Sequence, residues 1–316
     1  MSRIVTVSEN LAGRQRLICD LQRGLSDFRL NLNGRGLVAC SGGKDSTTLL
    51  LLLRDLGLDV TPAIVDLGYS GFNAAQIANT LAHWDFRPQI LSPSPGRALN
   101  GASDRRVNQI SANLSFLRDP GTQTPCGACS QTKRLILLNF ATQIGCSWIA
   151  LGHHRDDFLT TILKDYFGEL YYRNHGAYEA GRFGSFLAEQ SIDIFALADM
   201  VHRQTASTMG IHLSLASGIS LVRPMVYVRE ADIRGFVSDH NVPIFGSGCS
   251  HDVFLNSTAP QTKRELVHAE LTRRLRLDPD IGRRLLATAL LSLDSNGRPR
   301  FNPRATRSAR CPGFAD

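Results

Sequence analysis

Short apolar or β-branched runs bounded by glycine or polar residues fall at Gly36 to Cys40, Val60 to Leu67, Arg87 to Leu91 and Ser147 to Leu151. Between them, apolar positions recur at helical spacing over Ser46 to Leu56, Asn73 to His83 and Ser130 to Ile144. Strand and helix in this rhythm predict right-handed crossovers and a parallel sheet covered on both faces. The expected fold class is therefore α/β, a doubly wound parallel sheet. Ligands of such sheets sit beyond the carboxyl ends of the strands, where strand order reverses.

The pattern weakens elsewhere. Residues 92–125 are rich in Ser, Pro, Gly and Asn at both ends and read as a surface loop or lid. Residues 168–218 include a helical "DIFALADMVHRQTASTM" but carry no assignable role, and from Gln261 to Leu293 the apolar positions return at helical spacing. The expected organisation is an N-terminal helical segment over 1–35, a central α/β domain over 36–252 with an insertion at about 168–218, a C-terminal helical segment over 253–293, and a basic tail over 294–316.

With 316 residues, 43% of them hydrophobic, the chain can bury a sizeable core. The longest leucine run, Leu49 to Leu53, is far short of a membrane span, and the start "MSRIVTVSENLAGRQ" has no apolar signal core. A cytoplasmic protein without a membrane partner is expected. The net charge of +7 is concentrated: Lys263 to Arg310 holds twelve Lys or Arg against Glu265, Glu270, Asp278, Asp280 and Asp294. Such a segment reads either as a footprint for nucleic acid or as a solvated helix face with a charged tail.

Four features fall where the fold would bring strand ends together. Ser41-Gly42-Gly43-Lys44-Asp45-Ser46 follows the first strand and opens a helix. Backbone N–H groups and the positive end of a helix dipole then converge on one point, an arrangement suited to phosphate. Lys44 adds a point charge, and the Ser41 and Ser46 hydroxyls add donors. It is not a Walker A loop, which would need glycine at Val38 and Ser or Thr at Asp45. Asp66 ends the second run, where an aspartate can stabilise the loop that follows. Gly152-His153-His154-Arg155-Asp156-Asp157 follows the fourth run; two carboxylates beside a triphosphate suit Mg²⁺, Asp156 first, with Asp157 equally able to cap the next helix.

The fourth feature is a close thiol pair, Cys126 and Cys129. The seven cysteines form an odd, scattered set that argues against a disulfide framework. A close pair in a reducing compartment points to metal, an iron-sulfur cluster or thiol chemistry, and His153, His154 or His251 would offer zinc a further ligand. Cys19, Cys40 and Cys146 sit in apolar surroundings and read as small buried residues.

"SGGKDS" after a strand resembles the PP-loop of the ATP pyrophosphatase superfamily. "TPCGACSQTKRLILLNFATQIGCSWIALGHHRDDFLTTIL" and "LVRPMVYVREADIRGFVSDHNVPIFGSGCSHD" are similar to the CxxC helix, the GHHxDD motif and the RPL-REKDI helix of the tRNA 2-thiocytidine synthetase (TtcA) family, in matching order over about residues 10–252. The resemblance implies an adenine nucleotide alpha hydrolase-like fold with added C-terminal helices, and cleavage of ATP to AMP and pyrophosphate with Mg²⁺. ATP would meet Ser41, Gly42, Gly43, Lys44, Asp45, Ser46, Asp66, Gly152 and His153, with Lys44, Asp45, Asp156 and Cys126 carrying the chemistry.

It also implies a 4Fe-4S cluster on Cys126, Cys129 and Cys249, three thiolates leaving one iron open. The chain departs from the family at "FGSGCS", which has one cysteine where the family has a second CxxC. The implied activity is ATP-dependent sulfur transfer to a tRNA pyrimidine, with sulfide or a cysteine desulfurase as donor and a homodimer as an admissible assembly. A small-molecule thiolation enzyme and an amidating or lysidine-type ligase are the alternatives.

Overall fold

The computed structural model describes residues 2–69, 71–92, 125–203, 210–215, 217–246 and 262–291. Helix α1 (Ser2–Asp27) leads into β1 (Gly36–Ala39), α2 (Lys44–Asp55), β2 (Val60–Val65), α3 (Ala74–Ala82) and β3 (Gln89–Leu91). Helix α4 (Pro125–Gln143), β4 (Trp148–Ala150) and α5 (Arg155–His175) follow, then α6 (Ala180–Glu189) and α7 (Ile194–Arg203). The strands β5 (His212–Ser214) and β6 (Ser220–Val222) precede α8 (Glu230–Asp239), α9 (Lys263–Leu277) and α10 (Ile281–Leu291).

The strand order is β3-β2-β1-β4-β6-β5, parallel except for the β5–β6 pair at one edge. From β1 the chain winds outward through β2 to β3, then returns to place β4 on the other side of β1. The order therefore reverses between β1 and β4, and that gap is where a ligand site is expected. The doubly wound reading of the sequence holds, and the four foreseen strands are present. The β5–β6 hairpin was not foreseen: β5 falls inside the 168–218 stretch, whose pattern gave no readable strand.

Alternation along the strands divides the core between the two faces. Leu37 and Ile149 point to a cluster under α4 with Leu137, Leu138 and Ala141. Val38, Trp148 and Ala150 point the other way, to the larger cluster that contains the α2 leucines. Leu49 to Leu53 are all buried because α2 is wedged between the sheet on one side and α1 and α8 on the other. A helix with no solvent face can be apolar all round, and each such leucine contributes about 2 kcal/mol of burial.

The same large cluster extends outward to Val267 and Leu271 on α9 and Leu285 and Leu286 on α10. These helices pack on α5, α6 and α7, so the insertion and the C-terminal helices form one layer around α5. Gly36 allows the fully buried Trp148 ring to lie across β1, since a Cβ there would stand 2.0 Å from it. Cys40 and Cys146 are free and buried as expected, whereas Cys19 is disulfide-bonded. Among the described residues no helix is long and apolar enough to cross a membrane.

Candidate functional site

The hexapeptide Ser41 to Ser46 lies in the turn from β1 into α2, at the reversal point of the sheet. Gly42 takes a left-handed φ of 76°, and a Cβ there would press within 2.8 Å of Ile77 and 3.1 Å of Phe245. Two serines hold the turn from within: Ser46 Oγ accepts from the Ser41 N–H at 3.2 Å and donates to the Gly43 carbonyl at 3.2 Å. Ser46 is thus a buried brace of the loop. The Phe245 N–H donates to the Gly42 carbonyl at 3.0 Å, fastening the segment after α8 onto the loop.

Lys44 is the first residue of α2, and its ammonium lies 2.9 Å from Asp45 and 3.2 Å from Glu230. Glu230 opens α8 and is the hub of the site: His268 on α9 reaches its other oxygen at 3.3 Å, and Arg234 lies at 2.6 Å. The hydrogen bond from His268 is the first cause, followed by Lys44 and Arg234 against the cost of burial, that holds the Glu230 carboxyl far below the usual carboxylate range. The same hydrogen bond raises the His268 imidazole above its ordinary value. His268 also touches Thr160 of α5 through Nδ1 at 3.2 Å.

The two shifts fix a pH window. A raised His268 stabilises the fold fully below its ordinary pKa of 6.5 and loses that effect as pH rises through its folded value; a lowered Glu230 contributes above its ordinary 4.5 and loses it as pH falls. The stability difference between wild type and His268→Ala in urea unfolding should therefore be largest near about pH 5.5 and shrink toward about pH 9. A difference that stays constant over that range would show that the pair is not ionised as the geometry implies.

After β4, Gly152 lets the strand end approach the loop closely: a Cβ there would lie 2.9 Å from the Ser46 nitrogen and 3.1 Å from the Asp45 carbonyl carbon. His153 is neutral, its pKa lowered to about 4 by burial first and then by Arg223. His154 is buried, with Nε2 at 3.5 Å from Asp45 and 3.4 Å from Asp157. Asp157 accepts from the His154 N–H at 3.3 Å, so it does cap α5, and it pairs with Arg264 at 2.7 Å.

Asp156, the carboxylate expected to meet Mg²⁺, has both oxygens committed within the protein. One accepts from Arg155 Nε at 2.7 Å and the other from the Glu230 N–H at 2.9 Å, which ties α5 to the start of α8. Asp45 is the more accessible carboxylate at the loop, with 30% of its side chain exposed. Among the described residues no group of three or more His, Cys, Asp or Glu is gathered as a metal site. Mg²⁺ commonly takes only one or two carboxylates and draws its other ligands from phosphates and water, so this donor set accommodates it.

Asp66 accepts from the Gly68 N–H at 2.8 Å, bracing the turn at the end of β2. From the same turn the Tyr69 hydroxyl donates to Cys129 Sγ at 3.2 Å. The thiol therefore stands at the strand ends, and thiolates are the usual ligands of iron-sulfur iron. Cys126 lies three residues earlier in α4, and Cys249 lies outside the described residues. Two thiols on one helix suit an iron-sulfur cluster in chemistry.

Arg223 is buried and donates to the Gly210 carbonyl; burial and the neighbouring Arg134 lower its pKa to about 10. Arg229 is held bidentately by Asp232 at 2.6 Å, an ordinary ion pair. Sequence reasoning missed Glu230, His268, Tyr69 and Arg134. His268 stands 224 residues after Lys44, and no local pattern links the two.

No family model matches the chain. It is 28% identical over 249 residues to a tRNA-cytidine(32) 2-sulfurtransferase of Syntrophotalea carbinolica, covering 77% of each chain. It is 26% identical over 239 residues to the enzyme of the same name from Sorangium cellulosum, covering 73% of this chain and 67% of that one. Its fold is similar to that of the U34-tRNA thiolase NcsA from Methanococcus maripaludis, solved with its [4Fe-4S] cluster, at a TM-score of 0.53 and 15% identity, covering 86% of this chain and 78% of that one. The chain is thus similar in sequence to tRNA-cytidine(32) 2-sulfurtransferases and in fold to a tRNA thiolase, with the Ser41 to Ser46 loop at the reversal point of its sheet.

Proposed function

We propose that this chain is an ATP-dependent tRNA sulfurtransferase that replaces a base carbonyl oxygen, on a pyrimidine, with sulfur. The observation that carries the reading is the meeting of two chemistries at adjacent strand ends. The phosphate loop follows β1, and the Cys129 thiol is held by Tyr69 at the end of β2. An amidating or lysidine-type ligase would leave that thiol without a purpose.

In the reaction the base oxygen forms a bond to the α-phosphorus of ATP and the bond to the β-phosphate breaks, releasing pyrophosphate. Sulfur then bonds to the activated carbon, the carbon–oxygen bond breaks and AMP leaves. Lys44 and the N–H groups of the loop neutralise and orient the phosphates. Asp45 is the carboxylate best exposed to share Mg²⁺ with them. Gly152 keeps the loop close to the β4 end, and neutral His153 sits beside it without adding charge.

Cys126 and Cys129, with Cys249, would hold a 4Fe-4S cluster, which supplies an iron able to bind sulfide. Sulfide or a cysteine desulfurase is the sulfur source, and the reaction takes place in the cytoplasm.

The test is nucleoside mass spectrometry of tRNA incubated with ATP, Mg²⁺, sulfide and anaerobically purified protein. A thiolated pyrimidine should appear with wild type and vanish with Cys129→Ser. Product formed equally well by Cys129→Ser would remove the thiol from the chemistry.

A further inference from the structure

A groove of about 540 Å³ opens between α8 and α9, and the Glu230 that lines it also meets Lys44. Its walls carry Arg234, His268, Thr272, Arg273 and Arg276, with Glu230 at the inner end. Four cationic or proton-gaining groups therefore face one carboxylate, and that carboxylate is already engaged by Lys44, His268 and Arg234.

The outer cations are only partly neutralised. Arg273 is held bidentately by Glu270 at 2.8 Å, a carboxylate it shares with Arg274, and Arg274 also turns inward to the carbonyls of Leu187 and Gln190. Arg276 makes no ion pair among the described residues. Guanidinium forks with a hydroxyl between them suit phosphodiester oxygens, which they can grip bidentately, and suit an apolar occupant poorly.

We propose that this groove takes a stretch of the RNA substrate's phosphodiester backbone and so delivers the target base to the phosphate loop. The inference rests on the tRNA reading above and adds the place of docking. Glu230 joins the two sites: Oε1 lies 3.2 Å from Lys44 and 2.6 Å from the groove's Arg234, and Oε2 lies 3.3 Å from His268. A strand held along the arginines is thus one side chain away from the ATP phosphates. Part of the C-terminal charge excess is accordingly a binding face, with α9 presenting it.

The experiment measures tRNA affinity of the full chain by fluorescence anisotropy over a salt series, for wild type, Arg273→Glu/Arg276→Glu and Arg276→Lys. ATP binding and thermal melting are measured on the same samples. Two lost phosphate contacts should reduce the slope of log affinity against log salt by about 1.5 and weaken tRNA binding tenfold or more at low salt. Arg276→Lys should retain most of the wild-type slope, with ATP binding and melting unchanged in both variants.

Wild type binding tRNA with the charge-reversed protein equal in affinity and slope would overturn the groove while leaving the tRNA reading intact. Wild type binding ATP but no tRNA would overturn both. Loss of inorganic pyrophosphate binding in the charge-reversed protein, with tRNA binding unchanged, would give the groove to a free anion and also refute the proposal.

Discussion

Replacing Lys44 with alanine should lower tRNA-dependent pyrophosphate release by about a hundred- to a thousandfold, the usual cost of removing one preorganised group that stabilises developing charge. Lys44 sits on the first turn of α2, so its ammonium adds to the helix dipole at the point where the loop N–H groups converge. The loss should appear in activity and scarcely in folding. Asp45 keeps His154 nearby, and Glu230 keeps His268 and Arg234, so neither carboxylate is stranded. Pyrophosphate release assayed beside thermal melting separates the two effects. A variant within tenfold of wild type would mean that the backbone and Mg²⁺ alone manage the charge.

Replacing Gly152 with alanine should act on fold and site together. The added Cβ would meet Ser46 N at 2.9 Å, Ser46 Cα at 3.0 Å and the Asp45 carbonyl carbon at 3.1 Å. These are backbone atoms on the first turn of a helix packed on all sides, so no flexible side chain can move aside. Relief requires the β4 end and the loop to separate, at a cost of about 1–3 kcal/mol for overpacking and a much weakened ATP affinity. Gly43→Ala makes the control for stability. Its Cβ would meet only Ser41 Oγ, at 3.4 Å, and its φ of −76° suits any residue. Equal melting temperatures for the two variants would show that the close approach at Gly152 is not needed.

Much of this was legible in the sequence because the informative residues are local. The loop, the glycine after β4 and the thiol pair each lie within a few residues of the strand end that positions them, and strand-helix alternation is visible where runs are long enough. The Glu230 hub was not legible. Its partners come from α2, α8 and α9, and side chains that meet only through tertiary packing leave no spacing to read.

Asp156 illustrates the opposite difficulty. Its sequence context pointed to metal, yet a carboxylate beside a helix start equally serves an unpaired N–H, and the Glu230 N–H has its hydrogen bond. Asp66 was readable in two ways, and its bond to Gly68 supplies the turn-bracing one.

The leucines of α2 have a mechanical consequence. A helix gripped by the sheet, α1 and α8 cannot slide or roll without opening the core, so the phosphate loop it carries belongs to the part of the molecule with the highest free energy of local opening. Motions that admit substrate and release product are left to elements mounted around that fixed point, with α2 as the anvil against which they close.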